Sequence, residues 1–147
     1  MLLVGLAAAV TARPLIFPSL GPTAIMLFTN PLGRLSSPRN VLFGHAIGAA
    51  SGYAGLAAMG LLGVPLGPHV GIHRVLAAAL ALALTAGLMI LAKAEHPPAG
   101  ATTLIVALGI LPAPIDFLFL MAAVLALTLL ALLINRAFGV PYPLWQR

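Results

Sequence analysis

Polar side chains are scarce in this chain, and two short glycine-containing stretches bring several of them together. PSLGPTAIML begins at Pro18, and HPPAGATTL begins at His96. Hydroxyl groups and free backbone N–H groups donate hydrogen bonds to oxyanions, and glycine lets the backbone approach a ligand closely. The predicted substrate-binding residues in these stretches are Ser19, Gly21, Thr23, His96, Ala99, Gly100, Thr102 and Thr103. For the hydroxyl groups among them, capping of their own helices is the alternative.

Histidine changes its charge near neutral pH, and two histidines stand in or beside apolar segments. An ionisable group inside a membrane is costly and usually functional. We expect His45 to have an interior role, with packing or a bond to the backbone of the PRN turn as the alternative. We expect His96 to contact an anion or relay a proton, with a cap or turn at the membrane edge as the alternative. Arg39 and Asn40, together with His45, are candidates for gating or for a vestibule, and anchoring at the interface is the alternative for Arg39.

The chain carries no pattern typical of an enzyme. It has two acidic residues and no cysteine, and it lacks a nucleophile or phosphate-binding motif. We therefore expect no enzymatic activity and no cofactor. His69 and His73 have a spacing that suits a metal, but the glycine-rich connector around them argues against a metal site. The seven basic residues are scattered, which argues against nucleic acid as a partner.

The composition indicates a membrane protein. Of 147 residues, 62% are hydrophobic and 6% are charged, too few polar groups to cover a soluble domain. We predict an all-α membrane protein with four long transmembrane helices. Runs at residues 41–62, 75–92 and 117–134 are long enough for a hydrocarbon core of roughly 30 Å. Residues 2–10 would form the fourth helix, which is short or truncated, and they lack the basic flank of a signal peptide.

The two glycine-containing stretches match each other at an offset of about half the chain. In this alignment Gly21 matches Gly100, and Thr23 matches Thr102. A short apolar run follows each copy, and a proline ends each run. We interpret residues 1–147 as one transmembrane domain built as an internal repeat, with halves at about 1–66 and 72–147 and a connector at 63–71. Each half then holds a long helix, a broken segment and another long helix.

Proline explains why the two stretches should form broken helices. Pro97 and Pro98 favour extended backbone before them, so a helix is predicted only from Pro98 or Ala99 to about Ile110. The N-terminus of a helix carries a partial positive charge, so two opposed half-helix starts would form an anion site. If both segments cross the bilayer, five of the seven basic residues share one side, which favours crossing and an inverted repeat.

Two further features concern packing. Gly44, Gly48 and Gly52 recur at every fourth position, a spacing that predicts close helix packing either within the chain or between chains. Tyr142 and Trp145 are predicted to anchor the C-terminal region in the membrane interface.

Several motifs together resemble the HPP family of small integral membrane proteins. They are HPPAGATTL after a long apolar helix, PSLGPTAIMLF upstream, PRNVLFGH from Pro38 to His45, and INRAFGVPYPLW near the end. The resemblance covers most of the chain from Pro14 onward and implies four membrane helices. Family members in plastids and cyanobacteria are associated with nitrite transport, so the resemblance implies a small anion as substrate.

We therefore expect a multi-pass transporter or channel for a small inorganic anion, with nitrite as the leading candidate. We expect it in the lipid bilayer of a bacterial inner membrane, and as a homo-oligomer because so few helices can enclose a pathway. One alternative is a membrane sensor or interaction module whose broken helices serve packing. Another is a channel for a small neutral solute, which a wholly apolar path would favour.

Overall fold

The computed structural model describes residues 17–143 and Trp145, and this part of the chain is helical without any strand. The predicted short helix at residues 2–10 lies outside the described residues. The helices, in chain order, are α1 (Leu20–Thr29), a 3-10 helix (Arg34–Ser36), α2 (Pro38–Ala58), α3 (Ile72–Ala92), α4 (Ala99–Ala107) and α5 (Asp116–Ala137).

Helices α2, α3 and α5 have 21, 21 and 22 residues and are apolar enough to cross a membrane. Within the described residues they confirm the prediction of a helical fold with three long apolar runs, and the predicted fourth long helix is not among them. Helices α1 and α4 have 10 and 9 residues. At about 1.5 Å per residue each reaches roughly half of a hydrocarbon core, so both are half-length helices as the sequence predicts.

The central helix α2 begins earlier and ends earlier than predicted, for local reasons. It begins at Pro38 because proline suits the first helical turn and the Ser37 hydroxyl accepts a hydrogen bond from the N–H of Asn40. It ends at Ala58, short of the predicted end, because Gly60 adopts a φ of +67°. Glycine tolerates this left-handed conformation, which turns the chain out of the helix.

Helix α2 lies at the centre and contacts α3, α4 and α5, whereas α1 packs against α5. The glycine face of α2 makes this close packing inside the chain. A Cβ atom built on Gly44 would lie 2.7 Å from the Cβ of His96, and one on Gly48 would lie 2.7 Å from the carbonyl oxygen of Ala99. Gly52 meets a side chain of α4 equally closely. The absence of side chains at these glycines therefore allows α2 to pack closely against the broken segment that carries α4.

Two pairs of helices begin at matching intervals along the chain. Helices α1 and α2 begin at Leu20 and Pro38, and α4 and α5 begin at Ala99 and Asp116. The second pair thus follows the first at an offset of about half the chain. The contacts also correspond, because α4 packs on α2 and α1 packs on α5.

Candidate functional site

Two histidines and two threonines form a buried cluster where the two short helices begin. Thr23 lies in the first turn of α1, and Thr102 lies in the first turn of α4. His45 lies about two turns into α2, and His96 stands just before α4. All four side chains are fully buried. These four residues are hereafter the His–Thr cluster.

His45 bridges the two threonines that the sequence alignment pairs. Its Nε2 lies 2.9 Å from Thr23 Oγ1, and its Nδ1 lies 2.7 Å from Thr102 Oγ1. Thr23 Oγ1 lies 3.1 Å from His96 Nε2, and His96 Nδ1 lies 2.8 Å from the carbonyl oxygen of Leu35. The two imidazole centroids are 5.0 Å apart. All four ring nitrogens thus have hydrogen-bond partners, as buried polar groups require.

The extended segment before α4 positions His96, and two residues of α2 hold that segment. The Arg39 guanidinium donates to the carbonyls of Lys93 and Ala92 at 2.6 and 2.9 Å. The side-chain amide of Asn40 donates to the carbonyl of Glu95 at 3.5 Å. In this arrangement Arg39 and Asn40 fix the approach to His96, and a role for them in gating or in a vestibule stays a prediction.

A salt bridge ties the same segment to the 3-10 helix. Arg34 Nη1 lies 3.0 Å from Glu95 Oε2. The 3-10 helix also contains Leu35, whose carbonyl ends the hydrogen-bonded chain of the cluster. The carbonyl of Leu35 was not predicted, because a backbone acceptor leaves no signature in the sequence.

The backbone N–H groups at the starts of the short helices already have acceptors. Those of Gly21, Ala99 and Gly100 donate to carbonyl oxygens of the preceding turn, at 3.4, 3.0 and 3.0 Å. An anion at this place would therefore find these three backbone donors already engaged. Binding by these three residues stays a prediction.

Ser19 differs from the rest of the site because its hydroxyl is unpaired. Its Oγ is buried and has no hydrogen-bond partner among the described residues. Ser19 directly precedes α1, and its carbonyl oxygen lies 3.0 Å from Thr23 Oγ1. A buried hydroxyl without a partner costs stability, so this one marks a place where a ligand oxygen could accept a hydrogen bond.

Open space lies beside both short helices at matching positions. A Cβ atom built on Gly21 or on Gly100 would have no heavy atom within 4 Å beyond its chain neighbours and its own helix backbone. Packing inside the chain therefore does not require glycine at either position. This contrasts with Gly44 and Gly48, which meet the broken segment closely.

Thr103 lies apart from the cluster, although it is next to Thr102. Its Oγ1 donates to the carbonyl of Ala99 at 3.1 Å and lies 2.8 Å from Thr85 Oγ1 of α3. The structure thus brings together Ser19, Thr23, His45, His96 and Thr102 and turns Thr103 toward α3.

The C-terminal aromatic residues behave differently from each other. The prediction that Tyr142 anchors the interface is wrong, because its side chain is 1% exposed and its hydroxyl donates to the carbonyl of Ser36. Trp145 is 58% exposed and stacks edge-on against Phe43, with ring centroids 6.2 Å apart. Tyr142 therefore ties the end of the chain to the 3-10 helix.

Comparison with known proteins gives two matches that agree with this architecture. The transmembrane region of the HPP family matches residues 1–143. A transmembrane protein of Dictyostelium discoideum is 31% identical over 132 residues, which cover 86% of this chain and 44% of that protein. The chain thus spans less than half the length of this relative. No solved structure matches the chain.

Proposed function

Since the chain belongs to the HPP family of integral membrane proteins, we propose that it transports a small inorganic anion, with nitrite as the leading candidate. The observation that supports this proposal best is the buried His–Thr cluster, which lies where two half-length helices begin, next to Ser19 with its unpaired hydroxyl. Buried ionisable groups at membrane depth are expensive and mark pathways for substrates or protons.

The chemistry of the cluster favours an anion over a cation. Its side chains offer hydroxyl and imidazole donors and contain no carboxylate. Both short helices begin at the cluster, so their positive N-terminal ends lie near it. Nitrite carries a negative charge and has no hydrogen to donate, so it would accept a hydrogen bond from the unpaired Ser19 hydroxyl and from cluster groups that give up an internal bond.

The space beside Gly21 and Gly100 suggests where the anion approaches. Both glycines lie in the first turns that also carry the cluster threonines, and they are equivalent in the sequence alignment. We place the pathway along these two surfaces, with Ser19 as the first hydroxyl that the anion meets and Ala99 as part of the wall.

We further propose that the chain is an inverted repeat with α1 and α2 equivalent to α4 and α5. Support comes from the nearly constant spacing between the starts of the equivalent helices and from the reciprocal contacts of α4 with α2 and of α1 with α5. His45, which binds the equivalent threonines Thr23 and Thr102, then lies at the junction of the halves.

The setting we propose is a multi-pass homo-oligomer in a bacterial inner membrane. Helix α3 leaves a row of large apolar side chains exposed, which lipid or a second copy would cover: Leu76, Leu80, Leu84, Leu88 and Leu91. With so few helices in one chain, neighbouring copies would help to enclose the pathway.

Uptake into proteoliposomes tests the proposal. Nitrite, nitrate, formate and chloride are compared for wild-type protein, for Thr102→Val and for the control Thr128→Val. Thr128 is also buried, but its hydroxyl donates only within its own helix, to the carbonyl of Val124 at 2.7 Å. We expect nitrite uptake by the wild type and by Thr128→Val, with a clear loss in Thr102→Val.

The outcomes separate anion transport from its competitors. If folded wild-type protein moves none of the four anions, the proposal is overturned. Uptake of neutral solutes instead would favour the small-solute channel. Equal uptake by Thr102→Val and Thr128→Val would show that the cluster is not part of the transport pathway.

The second candidate is a membrane sensor or interaction module, and one observation favours it. All four ring nitrogens of the cluster bind partners inside the chain, as they would if the cluster only held the helices together. A folded wild type that transports neither anions nor neutral solutes would support this candidate.

A further inference from the structure

The hydrogen bonds of the His–Thr cluster have a definite direction. The carbonyl oxygen of Leu35 only accepts hydrogen bonds, so Nδ1 of His96, 2.8 Å away, must carry a proton. In a neutral imidazole the other nitrogen is then bare. Nε2 of His96 therefore accepts a hydrogen bond from the Thr23 hydroxyl at 3.1 Å.

The same logic fixes the proton of the second histidine. The Thr23 hydroxyl has one proton and two acceptors within reach, the carbonyl oxygen of Ser19 at 3.0 Å and Nε2 of His96. In the neutral cluster the bare Nε2 of His96 takes this proton, so Thr23 Oγ1 accepts from Nε2–H of His45 at 2.9 Å. Nδ1 of neutral His45 is then bare and accepts from the Thr102 hydroxyl at 2.7 Å. The neutral cluster is thus one chain of donors that runs from Thr102 through His45, Thr23 and His96 to Leu35.

We propose that this chain couples the transported anion to one proton, which is held on Nε2 of His96 with Thr23 as the switch. The inference rests on the proposed anion transport and names its coupling ion. A proton arriving at Nε2 turns this nitrogen from an acceptor into a donor, and it then donates to Thr23 Oγ1.

Thr23 is already placed to accommodate that change. Its oxygen lies 3.0 Å from the carbonyl oxygen of Ser19, so the hydroxyl proton turns from His96 to that carbonyl. Thr23 then accepts from both histidines and donates once, which fills its hydrogen-bonding capacity without moving a heavy atom. A second proton on His45 would sit on Nδ1 and would require the Thr102 hydroxyl to turn its own proton to another acceptor. Thr102 has no second acceptor among the described residues. His96 therefore takes the proton before His45.

The charges around His96 explain why the proton needs an anion. The neighbouring groups are Lys93 and Glu95 on its own segment, Arg34 on the 3-10 helix, and Arg39 and His45 on α2. The remaining titratable groups of the long helices are Tyr53 in the second half of α2, His73 and Arg74 at the start of α3, and Asp116 and Arg136 at the two ends of α5, and α1 and α4 carry none.

Positive charge is in excess around His96. Arg34 and Glu95 pair at 3.0 Å and offset each other, while Arg39 and Lys93 remain. A lone additional positive charge on buried His96 is therefore unfavourable, and an anion held by Ser19, whose carbonyl oxygen lies 3.0 Å from Thr23 Oγ1, offsets it.

The cycle balances without breaking a bond in the anion. One proton joins Nε2 of His96 from one side of the membrane, and one anion binds beside it. On the other side the anion leaves, the same proton leaves Nε2, and the Thr23 hydroxyl turns back to His96. One proton and one anion have then crossed in the same direction.

Nitrogen-15 NMR of histidine-labelled protein in lipid bilayers tests the direction of the chain without any transport. The signals are assigned by their loss in His45→Gln and in His96→Gln. At neutral pH we expect His96 with its proton on Nδ1 and His45 with its proton on Nε2. On acidification His96 gains the second proton first, and added nitrite shifts this step to higher pH. The opposite tautomers, first protonation of His45, or no response to nitrite overturns the proposal.

Proton flux in proteoliposomes tests the coupling itself. We expect nitrite and protons to enter together at a ratio of one to one, faster with an inward proton gradient. Liposomes without protein measure the leak of nitrous acid. His96→Gln should lower nitrite uptake and abolish its response to the gradient, and Thr23→Ser, which keeps the hydroxyl, should retain the response.

These measurements separate two kinds of failure. If the wild type takes up no anion, the proposed function fails whatever the NMR spectra show. If it takes up nitrite without protons, or if His96→Gln keeps the response to the gradient, anion transport stands and the coupling proposal is overturned.

Discussion

At the scale of single residues, Thr23 and Thr102 are equivalent in sequence but unequal in the cluster. Thr23 Oγ1 lies within hydrogen-bonding distance of three groups, on His45, His96 and Ser19. Thr102 Oγ1 reaches Nδ1 of His45. The loss of the two hydroxyls should therefore have different consequences.

We expect the free energy of unfolding to fall most for Thr23→Val, less for Thr102→Val and least for Thr128→Val. Valine keeps the shape of threonine, and each buried group left without a partner costs about 1–3 kcal/mol. Thr23→Val leaves one ring nitrogen on each histidine without a hydrogen-bond partner, whereas Thr102→Val leaves one ring nitrogen of His45 without a partner. Thermal unfolding in detergent measures the order, and an equal effect of all three would contradict the network.

Ser19 should separate stability from activity. Its hydroxyl binds nothing in the described residues, so Ser19→Ala should leave the unfolding midpoint unchanged or raise it. The same change should weaken nitrite uptake, seen as a higher KM, because a donor to the anion is lost. A marked loss of stability would mean that the hydroxyl has a structural partner.

At the scale of elements, the tight contact of α2 with the broken segment depends on glycine. Alanine in place of glycine favours a helix by up to about 1 kcal/mol. At Gly48, however, the added carbon would lie 2.7 Å from the Ala99 carbonyl oxygen and 3.0 Å from Thr103 Oγ1. Overpacking of this kind costs about 1–3 kcal/mol.

We therefore expect Gly48→Ala to lower the unfolding temperature and Gly100→Ala to leave it unchanged or raise it. Gly100 is a matched control, since an added carbon there meets no heavy atom within 4 Å outside its own helix and chain neighbours. Calorimetry or dye-based melting of both variants measures the difference. A stable Gly48→Ala variant would show that α2 and α4 can move apart at little cost.

The elements were more predictable from the sequence than the contacts among them. Apolar runs and prolines indicate the three spans and the two half-length helices, because length and backbone chemistry act locally. The pairing of His45 with both threonines was not predicted, since it depends on how α2 crosses two distant segments. Arg39 likewise has carbonyl partners near the end of α3 that no spacing in the sequence reveals.

At the scale of the whole molecule, Tyr142 joins the end of the chain to the 3-10 helix that supports His96. Burial raises the pKa of Tyr142 to about 12 from an ordinary value of 10.0. The folded state therefore keeps the hydroxyl protonated at pH values where the unfolded chain has ionised. The stabilisation is complete below pH 10 and is lost as the pH rises toward 12.

We expect the difference in unfolding midpoint between wild type and Tyr142→Phe to depend on pH. Phenylalanine cannot ionise, so the variant lacks this contribution to the alkaline loss of stability. Wild type should be the more stable at neutral pH, by about 0.5–1.5 kcal/mol for one hydrogen bond, and its advantage should shrink in alkaline buffer. A difference that is constant with pH would contradict the buried hydroxyl.

The glycine contact of α2 also decides how water reaches the cluster. A water molecule needs a gap of about 2.8 Å, and the close fit at Gly44 and Gly48 leaves none. Water would then reach the cluster past Gly21 and Gly100, where an added carbon meets no heavy atom within 4 Å. In an alternating-access cycle, α2 and α4 would form the static wall, and α1 with α5 would be the part that moves.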